Sequence, residues 1–237
     1  MAVARRLFAE QALSLVGRLM GQLPHATGRL EEVLVRVESL YSHLNGLEWL
    51  QVHRTHIWEE IIAALAAVDA ARYRTKVSKE KKRKGTKLYS PTALNNAVKA
   101  RLGKAGWKPK YATFWTTDDE ALIRDTLSLA PDEQKDAIVK AGKEPIRSYN
   151  QTDFVKEDVH VEVQLGKYSF IPYDLFVKHM AFYSAGIIKV GVEIVPSKTL
   201  GKGMSSGPGY FEKALYDLVR LGRGVPAMPL VLVGVAP

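Results

Sequence analysis

The sequence predicts an α/β protein in which a central mixed β-sheet is flanked by helices. Residues 159–165 alternate strictly between apolar and polar side chains, and residues 187–195 alternate again before Pro196, which is the pattern of two β-strands. Residues 173–183, which lie between them, are expected to form a helix that packs across the sheet. Because a helix that connects two strands indicates layered α and β elements, these segments together predict a mixed α/β sheet.

The composition indicates one basic domain. The length of 237 residues favours a single domain over 1–237, with an inserted helical segment at about 108–150. The formal net charge of +9 favours a polyanionic partner such as nucleic acid, although a merely basic protein would carry the same charge. The chain has no cysteine, which excludes disulfides and thiolate metal sites. Its apolar runs fall short of the ~20 residues of a membrane span, so we expect a cytoplasmic protein with no membrane partner.

The first part of the chain predicts mostly helices. Residues 3–22 have apolar side chains at helical spacing, and residues 27–40 predict either a second helix or a strand-like segment. Residues 48–51 are a candidate short strand. Residues 58–71 are rich in Ala, Ile and Leu, and they predict a buried helix that is a candidate subunit interface.

Histidines are frequent in the same region, which raises the question of a zinc site. The four residues are His25, His43, His53 and His56. Only the last two have the i, i+3 spacing of a helical metal site, and no third ligand lies nearby. Isolated histidines are usually structural or surface groups, so the pattern favours that interpretation.

A dense run of basic residues follows, opposed only by Glu80; it comprises Arg72, Arg74, Lys76, Lys79, Lys81, Lys82, Arg83, Lys84 and Lys87. Like charges at this density repel one another and are often mobile until they meet a polyanion. The candidates for contacts with DNA phosphates are Lys81, Lys82, Arg83 and Lys84. The alternative is a solvated helix end followed by a loop at Gly85.

The later elements have clear boundaries. Ser90 and Pro91 predict the start of a helix, because a side-chain cap followed by proline is a typical first turn. Residues 117–127 and a segment beginning at Pro131 predict two more helices, and the acids at 118–120 are explained by the helix dipole. Residues 210–221 predict a further helix, and residues 228–235 predict a last buried strand.

The strand at 159–165 carries the candidate catalytic residues. Glu162 and Gln164 share one face, because side chains at i and i+2 of a strand point the same way. Asp153 lies nine residues before Glu162, far enough to arrive from a neighbouring strand or turn. Carboxylates suit Mg²⁺, and the backbone carbonyl of Val163 could add another oxygen ligand. The pattern therefore indicates a metal-dependent phosphodiesterase site; the alternative is a half-exposed strand with an acid on its wet face.

The segment from Asp153 to Glu162-Val163-Gln164-Leu165-Gly166-Lys167-Tyr168 resembles the active-site segment of the BglII- and BstYI-type restriction endonucleases. These enzymes belong, with BamHI, to the PD-(D/E)xK nuclease superfamily. The resemblance extends to residues 42–50, 58–61, 94–107 and 205–207, but not to residues from about 108 to 150. It implies a PD-(D/E)xK restriction endonuclease-like fold.

The resemblance also implies an activity. The chain would be a Type II restriction endonuclease that uses Mg²⁺ to hydrolyse phosphodiester bonds in double-stranded DNA at a short palindrome. It would act as a homodimer, since two-fold protein symmetry matches two-fold DNA symmetry, and the family likeness implies a GATC core within the palindrome. The outer base pairs are not legible from the sequence.

The resemblance assigns roles to particular residues. Asp153, Glu162 and Val163 would bind the metal, and Gln164, at a position where many such nucleases carry lysine, would orient the attacking water. Asn95 or Asn96 would hold a metal-bound water, although an ordinary helix cap or surface amide is the alternative. The residues expected to contact base edges are Lys167, Ser205 and Ser206.

Two other functions are consistent with the same residues. One is a non-specific or repair nuclease of the same superfamily, which would not require a palindrome. The other is a basic DNA-binding module whose catalytic site is inactive. Cleavage in the presence of Mg²⁺ separates the second alternative from the enzymes, and discrete DNA fragments separate a restriction enzyme from a non-specific nuclease.

Overall fold

The computed structural model describes residues 34–237, so the helix expected over 3–22 and His25 lie outside the described residues. Its centre is a six-stranded sheet in the order β1-β8-β7-β6-β5-β4. The strands are β1 (Arg36–His43), β4 (Lys108–Thr116), β5 (Ile146–Lys156), β6 (Val159–Val163), β7 (Val190–Pro196) and β8 (Leu230–Ala236). Strands β6, β7 and β8 are parallel, whereas the outer pairs β1/β8, β6/β5 and β5/β4 are antiparallel. The expected mixed sheet is confirmed.

Helices cover both faces of this sheet. In chain order they are α1 (Gly46–His53), α2 (Thr55–Ala66), α3 (Pro91–Lys104), α4 (Glu120–Thr126), α5 (Pro131–Lys140), α6 (Phe170–Tyr173), α7 (His179–Ser184), α8 (Lys198–Lys202) and α9 (Phe211–Arg220). A π-helical turn, Asp174–Lys178, joins α6 directly to α7. The segment expected to form a helix across the sheet is therefore one helical run with a wider turn in its middle.

The two faces of the sheet bury different sets of side chains. On one face, α1, α2 and α3 pack through residues such as Leu50, Ile61 and Leu94 against the odd-numbered residues of β6. On the other face, α6 and α9 pack against even-numbered residues of β8. All five residues of β6 are buried, which is typical of a parallel strand covered on both sides. Glu162 is thus enclosed beneath the helical layer rather than exposed on a wet face.

Several boundaries differ from those expected from the sequence. Residues 48–51 lie in α1 and not in the expected strand. The prediction failed because an apolar run this short fits a helix and a strand equally well. Of the segment 27–40, which was expected to form a helix or a strand-like segment, residues from Arg36 onward belong to a strand, and residues 27–33 lie outside the described residues. The helix expected over 58–71 ends at Ala66.

The segment at about 108–150 contains both expected helices, α4 and α5, but its two ends belong to the central sheet. Strand β4 pairs with β5 over most of its length, from Lys108 opposite Val155 to Thr116 opposite Ile146. The two helices connect these strands, and Trp115 N donates a hydrogen bond of 2.9 Å to Gln134 Oε1 on α5. The inserted segment is therefore a β-hairpin arm with a helical tip, and its strand content was not predicted.

The basic run folds into a small two-stranded hairpin, which we call the basic hairpin (residues 76–88). Its strands are β2 (Lys76–Val77) and β3 (Lys87–Leu88), and a 3₁₀ turn, Lys81–Arg83, lies between them. Ser78 N donates to Thr86 O at 2.9 Å, and Gly85 N donates to Ser78 O at 3.0 Å. These backbone bonds order a segment whose charge density alone predicted mobility.

Candidate active site

The candidate site is built on the antiparallel pair β5 and β6. Phe154 pairs with Val161 and Val155 pairs with His160, so the same register continued by one position places Asp153 opposite Glu162. Asp153 N donates a hydrogen bond of 3.3 Å to Glu162 Oε1. The two residues of the connecting turn, Glu157 and Asp158, both have positive φ, which is the conformation of a tight hairpin turn that matches strand twist. The turn thus fixes the register that brings both carboxylates together.

The two acids repel each other in the folded chain. Burial, and next the charge of Glu162, raise the pKa of Asp153 above its ordinary value, although Lys99 opposes this rise. Lys99 Nζ lies 2.5 Å from Asp153 Oδ2. Burial and a second carboxylate destabilise the ionised form of such an acid, and a cation bound between the two carboxylates would stabilise it.

A divalent cation such as Mg²⁺ fits this donor set. Among residues 34–237 no three His, Cys, Asp or Glu side chains converge in the geometry of a metal centre. Mg²⁺ does not require such a cage, because it usually keeps several waters and takes one or two carboxylates together with substrate phosphates. Asp153, Glu162 and the carbonyl of Val163, the last residue of β6, are the residues that would hold it.

The π-helical turn adds a second ion pair to the site, between Lys178 and Asp174. Lys178 Nζ lies 2.6 Å from Asp174 Oδ1 and 3.2 Å from Glu162 Oε1. Burial raises the pKa of Asp174 to about 6. Burial alone would lower the pKa of Lys178, but the carboxylates of Glu162 and Asp174 outweigh it and raise that pKa, so the lysine stays charged.

Gln164 reaches the same acid from the end of β6. Its Nε2 lies 3.5 Å from Asp174 Oδ2, at the limit of a hydrogen bond. Asn95 on α3 accepts a hydrogen bond of 2.9 Å from Leu165 N through its Oδ1. Asn95 therefore fixes the backbone that follows Gln164, and its expected role in holding a water stays a prediction.

His160 orients Glu162 from the same face of β6. Its Nε2 lies 2.9 Å from Glu162 Oε1, and the ring is fully buried. Burial, and next the charge of Lys178, lower the pKa of His160 to about 3. The imidazole is therefore neutral and donates its Nε2–H to the carboxylate, which leaves one oxygen of Glu162 directed by a buried donor.

Replacing His160 with glutamine is expected to make folding less sensitive to acid. The unfolded histidine takes up a proton near pH 6.5, whereas the folded one does so only near pH 3, so stability from this residue is present above pH 6.5 and lost as pH falls towards 3. Between pH 7 and pH 5 the variant should lose about 2 kcal/mol less unfolding free energy than the wild type. Urea unfolding at both pH values measures this, with the exposed His53→Gln as control; equal losses in all three proteins would contradict it.

A second buried acid lies on the next strand. Glu193 on β7 is in register with Glu162 on β6, and its Oε2 lies 3.2 Å from Nε2 of the buried His179. Burial, and next the charges of Asp174 and Glu162, raise the pKa of Glu193 well above its ordinary value. Burial and the neighbouring carboxylates thus disfavour a further negative charge beneath the site.

Sequence reasoning did not identify several of these contributors, namely Lys99, Asp174, Lys178, His179 and Glu193. Two sequence patterns could have identified three of them. Glu193 occupies the polar position of the second alternating strand, as Glu162 does in the first, and Asp174 and Lys178 are four residues apart in a helical segment. The arrival of Lys99 from α3 is a tertiary contact with no local signal.

Within the part of the chain that the structure describes, the histidines and acids outside this site do not form a metal centre. His43 is buried beside Pro226 O at 2.8 Å, and His56 pairs with Glu157 at 2.9 Å. Asp119 is the N-cap of α4 and accepts from Leu122 N, and Glu120 is the acid in the first turn of that helix. His43, His53 and His56 therefore have separate structural environments.

The residues expected to contact DNA meet on one surface. Ser205 Oγ accepts a hydrogen bond of 2.7 Å from Lys76 Nζ, and Ser206 N donates one of 2.6 Å to Glu80 Oε1. Ser205 and Ser206 lie in the segment 203–209, which we call the glycine-rich loop, and the exposed Lys167 forms a backbone bridge with Pro208 of this loop. Lys81, Lys82 and Lys84 are exposed on the basic hairpin. The loop, the basic hairpin and the segment after β6 are therefore contiguous.

Arg83 differs from its three lysine neighbours. Its guanidinium contacts Glu80 Oε2 through two nitrogens, at 2.7 and 3.1 Å, and donates to Lys202 O at 2.9 Å. The backbone hydrogen bond from Ser206, followed by the hydrogen bonds from Arg83, lowers the pKa of Glu80 to about 2. Arg83 thus joins the basic hairpin to the loop, and its planar group is already engaged.

Residues 39–235 match the family described as restriction endonuclease BglII/BglIII. The chain belongs to this family. As a member of the BglII/BglIII family it is a Type II site-specific deoxyribonuclease. The matched range contains all the expected catalytic and DNA-binding residues, from Lys81 to Ser206.

Two solved structures resemble this BglII-family chain. Restriction endonuclease BglII complexed with a DNA 16-mer has 19% sequence identity and a TM-score of 0.53, over 83% of this chain and 74% of that chain. Free BglII has 18% identity and a TM-score of 0.49, over 83% of this chain and 77% of that chain. The first likeness confirms the restriction endonuclease-like fold. No curated protein matches the chain.

No helix within residues 34–237 is long and apolar enough to cross a membrane.

Proposed function

We propose that this BglII-family enzyme hydrolyses double-stranded DNA at a short palindrome with Mg²⁺ held by Asp153, Glu162 and the carbonyl of Val163. The observation that carries the proposal is the cross-strand pairing of Asp153 with Glu162, whose carboxylates share one side of the sheet. Such a pair of oxygen donors suits Mg²⁺, which proteins usually bind through one or two carboxylates together with waters and substrate phosphates.

In the proposed reaction, a water oxygen forms a bond to the scissile phosphorus while the bond from phosphorus to one ester oxygen breaks. The water loses a proton and the departing ester oxygen gains one. When bound, Mg²⁺ acidifies water and offsets charge on the phosphate oxygens. Gln164 orients the attacking water through its amide, but it cannot accept the proton, so a second water, a phosphate oxygen or hydroxide serves as base.

The proposed substrate contacts lie beside this site. Lys167, Ser205 and Ser206 would read base edges, since a lysine suits guanine O6 and N7 and serine bonds to any base. We assign the GATC core to these residues. The structural relative crystallised with a DNA 16-mer supports duplex DNA as the partner.

The palindrome requires two sites related by symmetry. We therefore propose a homodimer in which each subunit cuts one strand, because a two-fold protein axis matches that of an inverted repeat. We also propose a cytoplasmic location, where such an enzyme would meet its DNA substrate.

Digestion of DNA of known sequence tests this function. The wild-type protein should cut in Mg²⁺ and give discrete fragments, and sequencing of both new ends should place them symmetrically about a four-base GATC centre. In Ca²⁺ it should bind without cutting. A smear of fragments would favour a non-specific nuclease of this fold, and binding without cutting in either metal would favour an inactive DNA-binding module.

The basic hairpin is expected to contact DNA phosphates through its lysines. Replacing Lys81, Lys82 and Lys84 together with alanine should weaken binding equally for all DNA sequences. Each lost contact should lower the slope of log K against log salt by ~1. Fluorescence anisotropy at several salt concentrations measures this slope. An Lys140→Ala variant, changed at the exposed end of α5, should keep it, and an unchanged slope in the triple variant would contradict the assignment.

A further inference from the structure

The active site of this enzyme has a lysine, Lys178, whose positive charge lies beside the neutral side chain of Gln164. Gln164 is neutral, although the phosphate and the water attacking it build up negative charge as the reaction proceeds. Preorganised positive groups at that charge are among the largest contributions to catalysis. Lys178 brings a positive charge near Gln164, because both side chains contact Asp174.

The contacts of the Asp174 carboxylate show how near the two positions are. One oxygen, Oδ1, lies 2.6 Å from Lys178 Nζ. The other, Oδ2, lies 3.5 Å from Gln164 Nε2. The ammonium group and the amide are therefore held side by side by a single carboxylate, which is itself buried.

Lys178 also reaches the proposed metal ligand, with Nζ 3.2 Å from Glu162 Oε1. Its side chain is only 17% exposed, so the ammonium points inward rather than extending into solvent as lysines usually do. Lys99, a second lysine at the site, contacts Asp153 instead. Lys178 contacts Glu162, and it shares Asp174 with Gln164.

The π-helical turn accounts for this placement. Residues Asp174–Lys178 form the turn, in which His179 N donates to Asp174 O, five residues before it. The wider turn carries Asp174 and Lys178 on the side of the helix that faces β6, where they pair with each other. Turns of this kind are rare and are often found at functional sites.

We propose that Lys178 is a catalytic residue whose ammonium group contacts a non-bridging oxygen of the scissile phosphate and stabilises its charge as the water attacks. Lys178 neither donates nor accepts a proton in this role, so the bonds formed and broken and the proton transfers are those of the proposed reaction. The role rests on the proposed metal site at Asp153 and Glu162. A purely structural lysine would instead only neutralise the buried carboxylates of Glu162 and Asp174.

The test moves the positive charge from one position to the other. Single-turnover cleavage of a duplex is measured in Mg²⁺ for the wild type, Lys178→Met, the double variant Gln164→Lys/Lys178→Met, and the surface control Lys189→Met. We expect Lys178→Met to cleave at least about a hundredfold more slowly, with DNA binding in Ca²⁺ changed less than about threefold and the control unchanged. A lysine at position 164 should recover at least about tenfold of the rate.

Each result decides between the roles. If the wild type cuts and Lys178→Met cuts at the same rate, or if the double variant is no faster than Lys178→Met, the catalytic role of Lys178 is wrong while the proposed function stands. A wild type that cuts no DNA in Mg²⁺ overturns the proposed function itself.

A second pair of variants covers the case in which Lys178→Met does not fold because Asp174 loses its partner. Asp174→Asn removes the buried charge and keeps the lysine, and Asp174→Asn/Lys178→Met removes both. The double variant should then cleave at least about a hundredfold more slowly than Asp174→Asn. Equal rates for the two would overturn the proposal.

Discussion

Replacing Asp153 with asparagine is expected to slow DNA cleavage by at least about a thousandfold, because the variant loses a charged oxygen ligand whose metal contributes several kcal/mol to the transition state. Folding should not suffer. Burial and Glu162 raise the pKa of Asp153, so the folded carboxyl binds its proton more tightly than the unfolded one, and its ionised form reduces stability at pH values above that raised pKa. Cleavage rates and thermal unfolding at neutral pH measure the two effects.

The matched control is Asp158→Asn in the same hairpin. Asp158 lies in the turn between β5 and β6 with φ of 66°, which asparagine tolerates well, and it pairs with Arg54 at 3.3 Å. This variant should cleave DNA at the rate of the wild type. Wild-type cleavage by Asp153→Asn, or a loss of cleavage that follows a loss of folding in both variants, would contradict the assignment of Asp153.

The largest expected effect on folding is that of Gly46→Ala. A Cβ at position 46 would lie 2.6 Å from the backbone N, C and O of Leu230, the first residue of β8. Leu230 is paired with β1 on one side and β7 on the other, so its backbone cannot move aside and α1 must shift away from the sheet. We expect a loss of about 3 kcal/mol or more in unfolding free energy, measured by urea unfolding.

Gly103→Ala is the control for that substitution. Gly103 lies in α3, where an added Cβ would meet nothing within 4 Å, and alanine is the better helix former by up to about 1 kcal/mol. The two variants should therefore change stability in opposite directions. A Gly46→Ala protein as stable as the wild type would show that α1 does not pack so closely on β8.

The sequence was most informative where one local pattern determines the structure. The alternation at residues 159–165 identified β6, and Ser90 does cap α3, with Oγ accepting from Ala93 N at 3.3 Å. The nine-residue spacing of Asp153 and Glu162 brings the two side chains together only when a tight turn joins their strands. The turn at Glu157 and Asp158 carries no glycine, so no strong local signal announced it.

Other features depend on contacts between distant parts of the chain. Periodicity could not place β4, because most residues of this edge strand are at least partly exposed and its apolar side chains do not alternate strictly. The order of the basic hairpin depends on Glu80, which links Arg83 to the loop at Ser206. Lys178 reaches Glu162 from a π-helical turn, and such a turn has no reliable sequence pattern.

We propose that Asp153 and Glu162 together hold one divalent cation beside the scissile phosphate. X-ray diffraction at the manganese absorption edge, from crystals of the protein–DNA complex grown with Mn²⁺, locates that ion directly. We expect an anomalous peak about 2 Å from a carboxylate oxygen of each residue and from a DNA phosphate oxygen. A peak that contacts neither acid, or only one of them with the other directed elsewhere, would contradict it.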